Sequence, residues 1–190
     1  MAKQRRPRLI KQFDSELTRI GGKVHYARSA SEVGDLLLHL AEELRARNLV
    51  VWEDRNLPDA EYLRSFDAAG LKVHFEDREG DPESFLRKAA QADIGITSVD
   101  YALADTATLV LISGEGRARS VSLLPPVHVA ILDTEKILPG LDELFGLLGG
   151  HPPGSAVTFI TGPSRTADIE LTLVVGVHGP QELHVVLLEK

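Results

Sequence analysis

Apolar and polar residues follow one another in short blocks along this chain, and the blocks carry two periods. Phe13, Leu17 and Ile20 have the four- and three-residue spacing of a helix, which Gly21-Gly22 stops. Lys23 to Ala27 reads as a short strand. Ser29 with Glu32 three positions on is a capping-box pair. It opens a helix striped by Val33, Leu36, Leu37, Leu40 and Leu44 that is expected to run to about Arg47. Leu49-Val50-Val51-Trp52 is the next strand. A helix starting near Pro58 and ending at Gly70 follows, then a strand over Leu71 to Phe75. Asp81 before Pro82 starts another helix, with Phe85, Leu86 and Ala89 inward. Strands alternating with helices at this pace argue for parallel pairing with crossover helices.

The middle of the chain is denser in apolar runs. Ala92 to Thr97 reads as a strand, Tyr101 to Asp105 as one or two helical turns, and Thr108 to Ser113 as a strand apolar enough to be central. Val127 to Leu132 is a further strand. Leu141, Leu144, Phe145 and Leu148 mark a helix ending at Gly149-Gly150, and Leu183 to Leu188 is the last strand. Leu171 to Val175 has strand composition but follows a helix-start signal, so both readings stay open. The pattern predicts an α/β fold with three layers, α/β/α, and a mostly parallel central sheet. Residues 1–12, rich in Lys and Arg, are expected to be a loose basic segment, and residues 13–190 a single domain.

Composition narrows the function. Charged residues make up 26% and apolar ones 43% of the 190, which suits a globular protein with its own core. The net charge of -7 argues against nucleic acid as partner. Cysteine is absent, which removes thiolate nucleophiles and cysteine-held iron–sulfur clusters from this chain. No apolar run is long enough for a membrane span and no secretion signal opens the chain, so a cytoplasmic protein is the expectation.

The densest polar chemistry lies between Ala156 and Pro180. The strand Ala156 to Ile160 feeds Thr161-Gly162-Pro163-Ser164-Arg165-Thr166, with Asp168 and Glu170 just beyond. Gly162 lets backbone approach a ligand, Ser164 and Thr166 offer hydroxyls, and Arg165 can grip a carboxylate or phosphate with two prongs. A helix beginning near Thr166 would add free N–H groups. The bland alternative uses the same residues: hydroxyls capping a helix, and Arg165 paired with Asp168. No GxGxxG or GxxxxGK(S/T) fingerprint is present. Arg119 is a further anion contact. Asp105, Glu115 between Gly114 and Gly116, and His178 between Val177 and Gly179 are the candidates for acid–base or nucleophilic work. The seven histidines form no HExxH motif, and no metal is expected, an assembly of His178, Asp168 and Glu170 being the alternative.

Several ordered pieces carry a resemblance. They are Gly95-Ile96-Thr97, the run Ala104 to Val110, Arg119, Ser122-Leu123-Leu124-Pro125, the strand containing His128, and above all Ile160 to Glu170 with Gly176 to Pro180. In these the chain resembles the LUD-domain family, and within it the cysteine-free component of bacterial lactate-utilisation systems. The resemblance implies a fold similar to the NagB/RpiA/CoA-transferase group. It also implies a non-redox role in oxidising L-lactate to pyruvate, with a small anionic ligand and with iron–sulfur clusters only in partner proteins. The rival expectation from the fold group is a free-standing enzyme on a phosphorylated sugar or acyl-CoA, so whether the chain is itself an enzyme stays open. The family usually carries Glu and Gly where this chain has Asp105 and Ala107; Asp reaches less far, and Ala takes positive φ less readily.

Overall fold

The continuous apolar runs become strands buried on both faces. A computed structural model of the chain describes residues 2–53, 57, 66–76, 81–149, 154–167, 173–175 and 179–189. Six strands form the main sheet: β1 (Lys23–Ala27), β2 (Asn48–Val51), β3 (Lys72–His74), β4 (Ile94–Ser98), β7 (Val127–Asp133) and β12 (Glu182–Leu188). Their order is β1-β12-β7-β4-β2-β3, and every pairing is parallel.

Side-chain alternation splits the apolar runs between two cores. Leu49, Val51, Ile94, Ile96, Val129, Ile131 and Val186 face one side. There α2 (Ala30–Glu43) covers them with Val33, Leu37, Leu40 and Ala41. Ser29 caps α2 as expected: its side chain accepts from the Glu32 N–H at 3.2 Å, while Glu32 accepts from the Arg28 N–H. Val50, Trp52, Ala130, Leu132, Val185 and Leu187 face the other side. That side is covered by α1 (Ala2–Arg19) through Phe13 and Leu17, and by α3 (Pro82–Gln91) through Phe85 and Ala89. The result is the three-layer α/β/α arrangement.

A second, four-stranded sheet adds to this last layer. It contains β5 (Tyr101–Leu103), β6 (Thr108–Ser113), β8 (Ile137–Leu138) and β9 (Ala156–Ile160), in the order β8-β5-β6-β9. Ala102, Leu109, Leu111 and Ile137 pack into the main core. On the opposite face, Leu103 and Val110 meet Leu144 of α5 (Leu141–Leu148). A short helix, α4 (Ser120–Leu123), lies between β6 and β7 and rests on β4. A separate hairpin joins β10 (Arg165–Ala167) to β11 (Leu173–Val175).

Four expectations change. Tyr101 to Leu103 is a strand rather than helical turns, because β6 and β8 bond it on both sides. Thr108 to Ser113 is interior to its sheet, but that sheet is the second one. In the open stretch Leu171 to Val175, Leu173 to Val175 is a strand, and residues 171–172 lie outside the described residues. The basic start is the first part of α1 rather than a loose segment: Leu9 and Ile10 pack against the main core, and Arg6 pairs with Glu135. The predicted helix after Pro58 lies mostly outside the described residues; residues 66–68 are helical and end before Gly70.

Candidate functional site

The β6–β9 register builds the polar site. Leu109 pairs with Ile160, which brings the residues just beyond, Thr108 and Thr161, side by side. Thr108 Oγ1 donates to Thr106 Oγ1 at 2.8 Å and lies 2.7 Å from Thr161 Oγ1. Thr106 Oγ1 donates to Asp105 Oδ1 at 3.2 Å. With its hydrogen given to Thr106, the Thr108 hydroxyl accepts from Thr161. The hydroxyls thus form a directed row, from Thr161 to Thr108 to Thr106, ending on the Asp105 carboxylate. Thr108 is buried, whereas Thr161, Thr106 and Asp105 are exposed.

Close packing holds this row. The turn between β5 and β6 puts Ala107 at φ 51, a left-handed conformation that glycine would take without cost. Glycine is what the resemblance noted in the sequence implies at this position. Asp105 lies against Gly140, where a Cβ would come 2.6 Å from Asp105 Oδ2. Gly162, at φ 81, sits so close to the end of α1 that a Cβ would be 3.1 Å from Ile20 Cδ1. The Ser164 N–H donates to the Pro180 carbonyl, just before β12. Gln181 N–H likewise reaches the Pro126 carbonyl, just before β7. The segment Thr161 to Ser164 therefore lies at the amino ends of the main-sheet strands.

The helix expected at Thr166 is absent. Arg165 and Thr166 instead begin β10 and pair with Val175 and Val174. A β-branched residue facing a run of Leu and Val favours a ladder over a helix turn. Among the described residues, no helix N-terminus points N–H groups at this loop. Asp168, Glu170 and His178 lie outside the described residues.

The other candidates are elsewhere. Glu115 is exposed at the tip of the turn 114–117, at the far end of β6 from Asp105. Six residues of strand separate the two carboxylates by about 20 Å, so they do not share one reaction centre. Arg119, just before α4, lines a cleft with Glu76, Phe85, Leu86 and Leu124 and is not beside the hydroxyl row.

The turn 114–117 covers the carboxyl ends of β2 and β4, where the strand order reverses. That crevice is the usual ligand position in an open parallel sheet. Here the chain's own side chains fill it. Arg117 bonds Asp100 Oδ2 at 2.6 Å and lies 4.4 Å over the Trp52 ring. The same Asp100 oxygen accepts from the Ile112 N–H at 2.7 Å, and Trp52 Nε1 donates to the Ala118 carbonyl. Both charges are mostly buried, at 18% and 14% exposure. Asp100 carried no signal in the sequence beyond being an acid after an apolar run. Asp100→Ala removes the buried acceptor of both the Arg117 guanidinium and the Ile112 amide, and is expected to cost about 3 kcal/mol in urea unfolding. Asp100→Asn keeps an acceptor and should cost clearly less. Equal losses for the two would show that the charge pairing is not what holds the turn.

Among the described residues, no helix is long and apolar enough to cross a membrane. No group of three or more His, Asp or Glu side chains suited to a metal ion occurs among them either.

Comparison with known proteins places the chain. The family model for the LUD domain matches residues 10–188. "Lactate utilization protein C" of Halalkalibacterium halodurans is 43% identical over 147 residues, covering 75% of this chain and 63% of that protein. The protein of the same name from Geobacillus sp. (strain WCH70) is 34% identical, covering 81% of this chain and 67% of its own length. That from Bacillus subtilis is 40% identical over 111 residues, covering 56% of this chain and 46% of its own length. The chain thus spans between about half and two thirds of the relatives it matches. The crystal structure of a DUF162-family protein from Deinococcus radiodurans superposes with a TM-score of 0.67 at 18% identity, over 96% of this chain and 98% of that one, which is a likeness of fold. A family match over nearly the whole sequence, and relatives above 30% identity, mean that this chain belongs to the LUD-domain family.

Proposed function

We propose that this chain is a non-redox component of bacterial lactate utilisation that holds a small 2-hydroxy acid at the Thr161–Arg165 segment. The observation that carries the role is the 43% identity, over 75% of the chain, to a protein named for lactate utilisation. Oxidising lactate to pyruvate moves two electrons, which need an acceptor. With no cysteine in its 190 residues, this chain has no thiolates to hold an iron–sulfur cluster. The reading therefore assigns such clusters to partner proteins.

The ligand follows from the direction of the hydroxyl row. Every hydrogen in it points towards Asp105, so the Thr161 oxygen offers lone pairs outward. A ligand hydroxyl can donate to that oxygen. Arg165, four residues on, suits the carboxylate of the same ligand. Calorimetric titration with L-lactate tests this, with propionate as the analogue lacking the hydroxyl. Lactate should bind more tightly than propionate, and Arg165→Ala and Thr161→Val should each weaken it about tenfold. Equal affinity for the two acids, or an unchanged Arg165→Ala, would remove the ligand site. Normal growth on L-lactate of a strain lacking the gene would remove the role itself.

A further inference from the structure

Two histidines meet across the β1–β12 pair, on the face covered by α2 and away from the hydroxyl row. His25 Nε2 lies 3.1 Å from His184 Nδ1, and the ring planes are within 7° of parallel. His184 Nε2 is 3.1 Å from Glu182 Oε2. The same oxygen accepts from Lys23 Nζ at 2.6 Å. His184 is buried and His25 half-buried.

The far end of this chain of contacts sets both tautomers. Hydrogen bonds from Lys23 and then His184 hold Glu182 below the usual carboxylate range. Its Oε2 is therefore an acceptor, and His184 Nε2 carries the hydrogen. Burial lowers the basicity of His184, more than its bond to Glu182 restores it, so the ring is neutral near pH 7. His184 Nδ1 is then a lone pair, and His25 Nε2 must donate to it. Burial, then His184 and Lys23, lower His25 as well. Its Nδ1 is left as the open base. The charged groups facing the pair are Lys23 on β1, Glu182 on β12 and Glu43 on α2. On the other side of β12, β7 places Val129 opposite His184.

We infer that Lys23, Glu182, His184 and His25 form a two-step acid latch that fastens the edge strand β1 to β12. The first proton lands on His25 Nδ1 and leaves all three hydrogen bonds in place. The second finds only His184 Nδ1, which already faces the His25 Nε2–H. Two N–H groups then confront each other and the contact opens. Among the described strands β1 pairs only with β12, so the loosening falls on β1 and on α1, which packs beside it. The two rings titrate as one coupled unit whose steps stand apart.

Long-range proton–nitrogen NMR on the full chain tests this from about pH 8 downward. Both rings should be Nε2–H tautomers at the start. His25 should titrate first and His184 second, both below the ordinary histidine value. Amides of β1 should lose about tenfold in exchange protection at the second step and not at the first. Glu182→Gln should release His184 from its single tautomer. His25→Gln, which keeps a donor to His184 Nδ1, should leave one step. An Nδ1–H tautomer on His184 at about pH 8 would overturn the latch without any acid being added. So would a single shared step, or global unfolding before any loss specific to β1.

Discussion

Gly95→Ala is expected to destabilise the fold by about 3 kcal/mol or more, the upper range for forcing extra volume into a close-packed core. Gly95 is the second residue of β4, and α4 lies directly on it. A Cβ at this position would be 1.8 Å from the Val121 carbonyl oxygen and 3.0 Å from Pro125 Cγ. The obstacle is backbone, so no rotamer change relieves it. α4 must lift from the sheet, and it is tethered on its N-terminal side by the Trp52 Nε1 bond to Ala118. Trp52 is the single tryptophan of the chain and is fully buried, so its fluorescence should shift to the red as α4 lifts. Gly146→Ala is the control: nothing lies within 4 Å of its added methyl, and it sits in α5, where Ala is favoured over Gly. A Gly95→Ala variant within about 1 kcal/mol of the parent would mean that α4 does not rest on β4 as described.

This contact shows how much was legible in sequence. The strands of the main sheet were, because a strand buried on both faces must be apolar throughout, as in Leu49 to Trp52 or Leu183 to Leu188. The cap of α2 was legible because Ser29 and Glu32 act within one turn. The glycine at 95 looked like any small residue in a strand; its meaning lies in a helix 26 residues further on. The helical reading of Tyr101 to Leu103 failed for a similar reason. Three residues become a strand only because two neighbours bond to them. The docking of the basic start depends on Leu9 and Ile10 reaching a core built by later segments.

The site divides along the same line. Thr161 to Thr166 was visible as a polar cluster beside an apolar strand, and Asp105 as a candidate carboxylate before another. That the two stretches meet, through Thr108 and Thr161, depends on the antiparallel register of β6 and β9, which no local pattern encodes. Arg119 looked like a companion of Arg165, since both are cations near hydroxyls. The structure puts Arg119 in the cleft beside α3 and α4, and Arg165 at the start of the hairpin joined to the amino end of the sheet. The ligand crevice expected at the carboxyl ends of the strands is occupied by Trp52, Arg117 and Asp100. The polar loop at the opposite end is thus the more open of the two polar clusters.

His128 should make the fold acid-labile, with stability falling by about 1.4 kcal/mol per pH unit once pH drops below about 6.5. The ring is fully buried on β7, and burial pushes its pKa down to about 3. Thr97 Oγ1 meets Nε2 at 2.9 Å, while Nδ1 has no hydrogen-bond partner. A proton on Nδ1 would put a charge there with no acceptor, which is why the native state refuses it. In the unfolded chain the same ring takes up a proton near pH 6.5. Between about 6.5 and 3 the unfolded state therefore holds one more proton than the native state, so stability rises with pH. Its full contribution is present above about 6.5 and is lost on the way down to 3. His25, His74 and His184 are lowered too, burial being the largest cause in each, and add to the loss in the same direction. Urea unfolding at a series of pH values separates the terms. His128→Gln keeps a polar partner for Thr97 and removes the titration. Its stability curve should be flatter than the parent's by about one proton, or about 2 kcal/mol between pH 6 and 4.5. Parallel curves would mean that water or a shifted side chain reaches Nδ1 and that the ring is not held neutral by burial.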